Sequence, residues 1–174
     1  MNDPEVDPIA WLLAHEQIRQ LASRYAIALD ARDIDTLVGL FVEDVRVGRN
    51  LVGHDALRAS FTDQLRDLGV TILVVGNHVI DVADDDHATG IVSCRGEIEM
   101  GDQWVVQAIQ YHDIYERRDG AWLFVRRRHL LFYGSDMLKR PIGLPLANWP
   151  SSAIGKGELP EILPTWQAFH SGLD

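Results

Sequence analysis

Residues 17–33, QIRQLASRYAIALDARD, decide how the first half of the chain folds. At about 100° per residue, Ile18, Leu21, Ala22, Tyr25, Ala26 and Leu29 fill one arc of a helix, and Asp30 falls on its edge. The arc predicts a helix packed on a core with one carboxylate turned towards it. Asp30 also sits in the last turn, where the negative end of the helix macrodipole opposes an anion, so it needs a donor or a cation nearby. Residues 74–80, VVGNHVI, supply the expected donor, His78.

Working outward, Asp7 and Pro8 form a helix start, because Asp caps free amides and Pro fits the first helical position. The spacing predicts a long helix to about residue 31, a second helix over 34–41, a short strand at 45–48, a turn at 49–53 and a third helix over 54–68 stopped by Gly69. Four β-type segments follow, at 71–83, 88–100, 104–117 and 121–133. The turns between them, at 84–86, 101–102 and 119–120, are short enough to demand antiparallel neighbours. TILVVG, WVVQAI and WLFV are apolar on both faces, so the sheet should be covered on one side and curled round a cavity or partner on the other. Five of the seven prolines lie beyond residue 139, with Trp149, Trp166 and Phe169 as apolar anchors, which predicts a segment that wraps over a surface. The expected architecture is α+β: a cone-shaped, curved antiparallel sheet wrapped over three helices. Residues 1–138 form the cone domain, and 139–174 form an extension packed on it or on a neighbouring subunit.

Composition narrows the partners. The chain has 174 residues, 47% hydrophobic and 24% charged, which fits one soluble globular domain. A net charge of −10 argues against nucleic acid or an anionic membrane, and the run Arg126-Arg127-Arg128 is too short to track phosphates. One cysteine, Cys94, rules out a disulfide framework, and no His spacing of the H-E-x-x-H type is present, so no metal is expected. No signal peptide or membrane-spanning apolar run is read, which places the protein in the cytoplasm. The two-sided apolar strands and the aromatic tail predict a homo-oligomer, dimer or trimer.

The order of elements and three signatures carry a family resemblance. These are RYAIALDARDIDTLVGLFVEDV at 24–45, GNHVI at 76–80 and YHDIYERRDGAWLFVRR at 111–127. Together they resemble the SnoaL-like branch of the nuclear transport factor 2-like superfamily, over about residues 9–133. In scytalone and bile acid dehydratases of that superfamily, an Asp near the end of the first helix pairs with a His on the first long strand. The resemblance puts Asp30 and His78 in those places and matches Tyr25 to a Tyr of the bile acid enzyme. Leu29 stands where scytalone dehydratase has a Tyr, which leaves the substrate open.

The implied activity is a cofactor-independent dehydratase, or a related enolising lyase, cyclase or isomerase, acting on a small hydrophobic hydroxy-carbonyl compound. His78 would move the proton, Asp30 would orient it and Tyr25 would hold an oxygen. Tyr111 is a second oxygen donor on the third strand; Arg127 and His129 share a strand parity at the expected cavity mouth, where Arg127 could take a substrate carboxylate or phosphate. A buried Asp–His pair or a helix Tyr is also ordinary core structure. His15, His54, His87 and His170 read as solvated, and Asp84-Asp85-Asp86 as a solvated turn. Two alternatives stay open: an epoxide hydrolase-like enzyme using Arg95 and Glu97, and a non-enzymatic small-molecule-binding or subunit protein.

Overall fold

The computed structural model describes residues 7–138, 143–157 and 171. Helix α1 (Pro8–Asp30) starts as its sequence dictates, with Asp7 Oδ1 accepting from Ile9 N at 3.0 Å and Pro8 in the first turn. Its buried face, including Ile18, Leu21, Ala22, Tyr25 and Ala26, lies against the sheet. Arg32, at φ 58°, turns the chain sharply, and Asp33 then caps α2 (Ile34–Gly39) by accepting from Thr36 N. A small hairpin, β1 (Arg46–Val47) and β2 (Leu51–Val52), stands where one strand and a turn were expected. Helix α3 (His54–Leu65) buries Leu57 and Phe61 and ends before residue 68.

The rest is an antiparallel sheet in the order β3 (Thr71–Val82), β4 (His87–Met100), β5 (Gln103–Arg118), β6 (Ala121–Asp136), β7 (Gly155–Lys156). The three expected hairpins are present, so the fold is the predicted α+β cone. Three irregularities in register bend the sheet. On β3, Gly76 and Asn77 together face Ser93; on β6, Val125 and Phe132 are extra residues. Such bulges increase local twist and reverse the parity of side chains beyond them.

The edge of β6 that does not pair with β5 is covered near both of its ends. Near its start, Leu40 and Val42 bond to Phe124, and near its end β7 pairs with Tyr133 and Gly134. The segment 143–157 therefore includes a regular strand on the cone's own sheet, where only an irregular wrap was expected. Trp166 and Phe169, the other expected anchors, lie outside the described residues. The main core joins α1, α2 and α3 to the sheet through Tyr25, Phe41, Phe61, Tyr115 and Phe124, and a second cluster holds Ala22, Val92, Cys94, Ile109 and Tyr111. No helix among the described residues is long and apolar enough to cross a membrane.

Candidate functional site

Asp30 has the donors its position demands, and none is an imidazole. Thr71 Oγ donates to Asp30 Oδ1 at 2.9 Å, and the Leu73 amide donates to Oδ2 at 2.8 Å. Arg32 in turn donates to Thr71 Oγ at 2.7 Å and to the Leu29 carbonyl at 2.8 Å. The carboxylate thus fastens the end of α1 to the start of β3. Thr71 and Leu73 are the two inward positions of β3 at its level, so a dyad with Asp30 would need a histidine at one of them.

His78 stands elsewhere, and the expected hydrogen bond to Asp30 is not formed. It lies five positions beyond Leu73, on the order of 15 Å further along the strand. The Gly76–Asn77 bulge turns it inward, because without the extra residue the 71, 73, 75 parity would point it out. Its Nε2 is 3.1 Å from the Tyr115 hydroxyl, which itself donates to Asp113 Oδ2 at 2.9 Å. The Tyr115 proton is committed to Asp113, so His78 is the donor to the Tyr115 oxygen and carries its proton on Nε2. Burial, with Arg127, Arg19 and His15 acting the same way against Asp113, lowers its pKa to about 4.

Arg127 completes this network. Its Nε and Nη2 grip Asp113 at 3.0 and 2.8 Å, and the two side chains are 4% and 0% exposed. Its guanidinium carbon sits 4.4, 4.2 and 4.4 Å from the ring centres of Tyr25, Tyr111 and Phe124. Burial opposes its charge, yet Asp113 outweighs that and raises its pKa. Arg127 was expected at the cavity mouth to take a substrate anion; it is instead an internal cation whose charge Asp113 neutralises. The Val125 bulge explains the difference, since it sets Arg127 opposite Asp113 on the inner face.

The hollow of the cone is about 1160 Å³ and runs over its rim to Arg118 and Arg126 outside the sheet. Tyr25, Tyr111, Arg127 and His129 all line it, whereas Asp30 and His78 do not. Among the described residues, neither tyrosine hydroxyl makes a hydrogen bond to a protein group. Burial raises the Tyr25 pKa to about 12 and holds that of Tyr111 well above its ordinary value, so both are neutral phenols able to donate. His129 faces Tyr111 across the strands, with ring centres 5.4 Å apart, and Trp149 of the extension meets it edge-on at 4.8 Å. Burial and, secondarily, the Arg127 charge lower the His129 pKa to about 4, so its ring is neutral near pH 7.

Gln107, Asp113 and Tyr115 escaped the sequence reading, although a signal existed: counting by twos from Tyr111 along β5 places all three on its inward face. The epoxide hydrolase-like pair fails that same test on β4. Arg95 Nε donates to Glu97 Oε1 at 3.2 Å on the outer face, with the Arg95 side chain 58% exposed. His15 is buried and bonded to the Trp11 carbonyl at 2.9 Å, so it is not solvated, and His54 is half-buried and bonded to the Phe41 carbonyl. His87 is exposed beside Asp84, as expected of that turn; His170 lies outside the described residues. Among the described residues no three His, Cys, Asp or Glu side chains converge as metal ligands.

An α+β cone with an aromatic-walled hollow and a few inward polar groups defines a small-cavity protein of the nuclear transport factor 2-like class. Residues 10–128 match the SnoaL-like domain, and the chain belongs to that family. Among solved structures it is similar to a protein from Novosphingobium aromaticivorans assigned as a scytalone dehydratase, with TM-score 0.67, 22% identity and coverage of 80% of this chain and 100% of that one. It is also similar to a type 2 hexachlorocyclohexane dehydrochlorinase, with TM-score 0.66, 22% identity and coverage of 83% and 99%. The type 3 dehydrochlorinase from Novosphingobium barchaimii gives TM-score 0.65, 24% identity and coverage of 77% and 97%. No curated protein matches the sequence.

Proposed function

We propose that the protein catalyses a cofactor-independent elimination, of water or a related leaving group, from a small hydrophobic hydroxy-carbonyl compound held in the cone, with His129 as the acid–base group. The carrying observation is that His129 stands on the cavity wall with its ring 5.4 Å from that of Tyr111, while His78 faces Tyr115 outside it. The similar structures include proteins named for eliminations, a dehydratase and dehydrochlorinases, which supports the reaction class.

His129 begins unprotonated and takes a proton from the carbon next to the substrate carbonyl. Charge then develops on the carbonyl oxygen, which the Tyr25 and Tyr111 hydroxyls hold by hydrogen bonds above the buried Arg127 cation. The carbon–hydroxyl bond breaks, the departing hydroxyl takes the proton back from the imidazolium, and water leaves. Losing a positioned acid–base group typically costs about 10²–10⁴ in rate, so His129→Ala should lower kcat by that order with a far smaller change in affinity. The assay is a mass-spectrometric screen of hydroxylated alicyclic and polycyclic carbonyl compounds for loss of water. Wild-type turnover by His129→Ala would remove the proposal.

Leu73 in front of Asp30 favours a second reading, in which the cone binds its ligand without chemistry. That reading expects a tight cavity ligand that wild-type protein leaves unchanged. We also propose that the described part of the extension, residues 143–157, closes the cavity, since Trp149, Pro150, Ser151 and Ala153 line it, and we place the protein in the cytoplasm on the strength of its single, buried Cys94. On the outer sheet face Ile72, Val74, Val79, Ile91 and Ile114 are 42–60% exposed, and we propose that they join copies in a dimer or trimer. Light scattering at micromolar concentration should exceed the 19.6 kDa of one chain, and a monomer there would refute the assembly.

A further inference from the structure

Tyr25 and Tyr111 are buried side chains, 8% and 5% exposed, whose hydroxyls bond to no protein group among the described residues. Among those residues, the side-chain polar atoms that are both buried and unpartnered are Gln107 Nε2 and His129 Nε2, so the two hydroxyls are reached by solvent. The solvent space they meet is the hollow, because both residues line it. Their rings stand 6.0 Å apart at 65° and both flank the Arg127 guanidinium. Packing therefore fixes the two phenols while their capacity to donate stays unspent.

The charge around them is the reverse of the chain's. The sequence carries 26 acidic and 16 basic side chains, yet the charged residues lining the hollow are Arg46, Arg118, Arg126, Arg127 and Arg128 against the one carboxylate of Asp44. Asp44 is itself bonded to Arg118 at 2.6 Å. Asp113 grips Arg127 but does not line the hollow, so an occupant meets the cation of that pair before its counter-charge. A cleft lined by one sign of charge focuses the field and draws in the other sign. A hydrogen bond to an ionised acceptor is also roughly twice as strong as one to a neutral carbonyl, so two free hydroxyl donors reward an anion most. Tyr25 ionises only at about 12 and Tyr111 well above its ordinary value, so a phenol of ordinary acidity sharing their hydrogen bonds loses its proton before they do.

We propose that the cavity is an oxyanion receptor that takes an acidic phenol in its ionised form, the phenolate oxygen accepting from Tyr25 and Tyr111 while its ring lies on the apolar wall. The phenol's proton passes to the solvent on binding. The proposal goes beyond the elimination reading, whose substrate is a neutral hydroxy-carbonyl compound, and rests on that reading only for the two hydroxyls as holders of an oxygen.

Titration of the full chain with para-nitrophenol tests it, because only the ionised form carries the strong visible band; the methyl ether, para-nitroanisole, is the neutral control. At a pH where the free phenol is mostly protonated, adding wild-type protein should raise the visible band. Wild type should bind the phenolate at least about tenfold more tightly than the ether. Tyr25→Phe and Tyr111→Phe should each weaken phenolate binding by roughly tenfold or more, the worth of a hydrogen bond to a charged acceptor, and change ether binding by less than about threefold. Both variants keep a ring against Arg127 and lose a hydroxyl that has no protein partner, so their melting temperatures should match that of wild type. Equal affinity of wild type for phenol and ether, no gain in the visible band, or equal losses for the two ligands in the Phe variants would overturn the proposal. Phenolate binding without turnover of any hydroxy-carbonyl compound would leave this inference standing and remove the elimination reading. Turnover that depends on His129, with no preference for the phenolate, would do the reverse.

Discussion

The inner face of the sheet carries two kinds of buried polar group. At one end, Arg127, Asp113, Tyr115 and His78 form a chain in which each member has its partner at 2.8–3.1 Å. Further along the same strands, Gln107 and His129 are buried with polar nitrogens unanswered. Burial and charge alone would have ranked the first group as the reactive one, since it holds a buried ion pair and a histidine with a lowered pKa. Satisfaction ranks them the other way. A group whose polar atoms are bonded to one another within the fold has less left for a ligand, whereas a buried atom left open is desolvated and still lacks a partner.

The largest effect expected from breaking this contrast lies in the satisfied group. Asp113→Leu leaves the Arg127 cation buried among three aromatic rings with no counter-charge, and Arg127→Leu strands the carboxylate. Each should destabilise the fold by about 3–5 kcal/mol in urea titration, because a broken buried pair leaves an uncompensated charge. The double replacement should cost much less than the two single losses added together. Additive losses would mean that the pair is not a unit.

Much of the fold was legible because its signals are local. Asp7 and Pro8 start α1, Asp33 caps α2, and the Asp119-Gly120 turn sits between two strands as its residue types require, with Asp119 at φ 51° and Gly120 at φ 82°. The site was less legible because it depends on levels and registers. A helix advances about 1.5 Å per residue and a strand about 3.3 Å, so knowing that Asp30 and His78 both face inward does not say whether they meet. The tertiary pairing of α1 with β3 decides that, and it brings Asp30 to Thr71 and Leu73. Single extra residues at Val125 and Phe132 reset the parity of β6, which is why Arg127 is internal. The Gly-Asn step inside a strand pattern was a visible hint of the bulge before His78. Tyr25 was singled out by helix period together with the family resemblance, Tyr111 by its place on the third strand, and His129 by its parity with Arg127.

A mid-sized effect separates the open group by pH. The His129 pKa lies at about 4 in the folded chain against an ordinary 6.5. Between those values the unfolded chain binds a proton that the native state refuses, so the stabilisation is fully present above pH 6.5 and is lost as pH falls towards 4. His78 shifts in the same direction, but it is only partly buried and its share is correspondingly smaller. Replacing His129 by Phe removes the larger contribution, so the variant should lose about 2 kcal/mol less stability than wild type between pH 6.5 and about pH 5. Parallel acid losses in the two proteins would show that His129 is not held neutral by the fold.

The smallest effect, and the one that separates the two groups most cleanly, is expected at His78. If His78 were the proton-transfer residue, its removal would cost about 10²–10⁴ in kcat. Its position argues against that, because its Nε2 proton is spent on the Tyr115 oxygen and its ring is absent from the cavity wall. His78→Phe keeps a flat ring against Tyr115 and removes one neutral hydrogen bond, a loss of about 1 kcal/mol in stability. Tyr115 keeps its bond to Asp113, so the Arg127 platform beneath Tyr25 and Tyr111 stays in place. Turnover of any substrate found for the wild type should then fall by no more than about threefold, against the hundredfold or greater loss in His129→Ala. Comparing the two variants on one substrate assigns the imidazole. A large loss of kcat in His78→Phe, with an intact melting temperature and an active His129→Ala, would move the chemistry to the Tyr115 side of the sheet and leave the His129 wall as a binding surface alone.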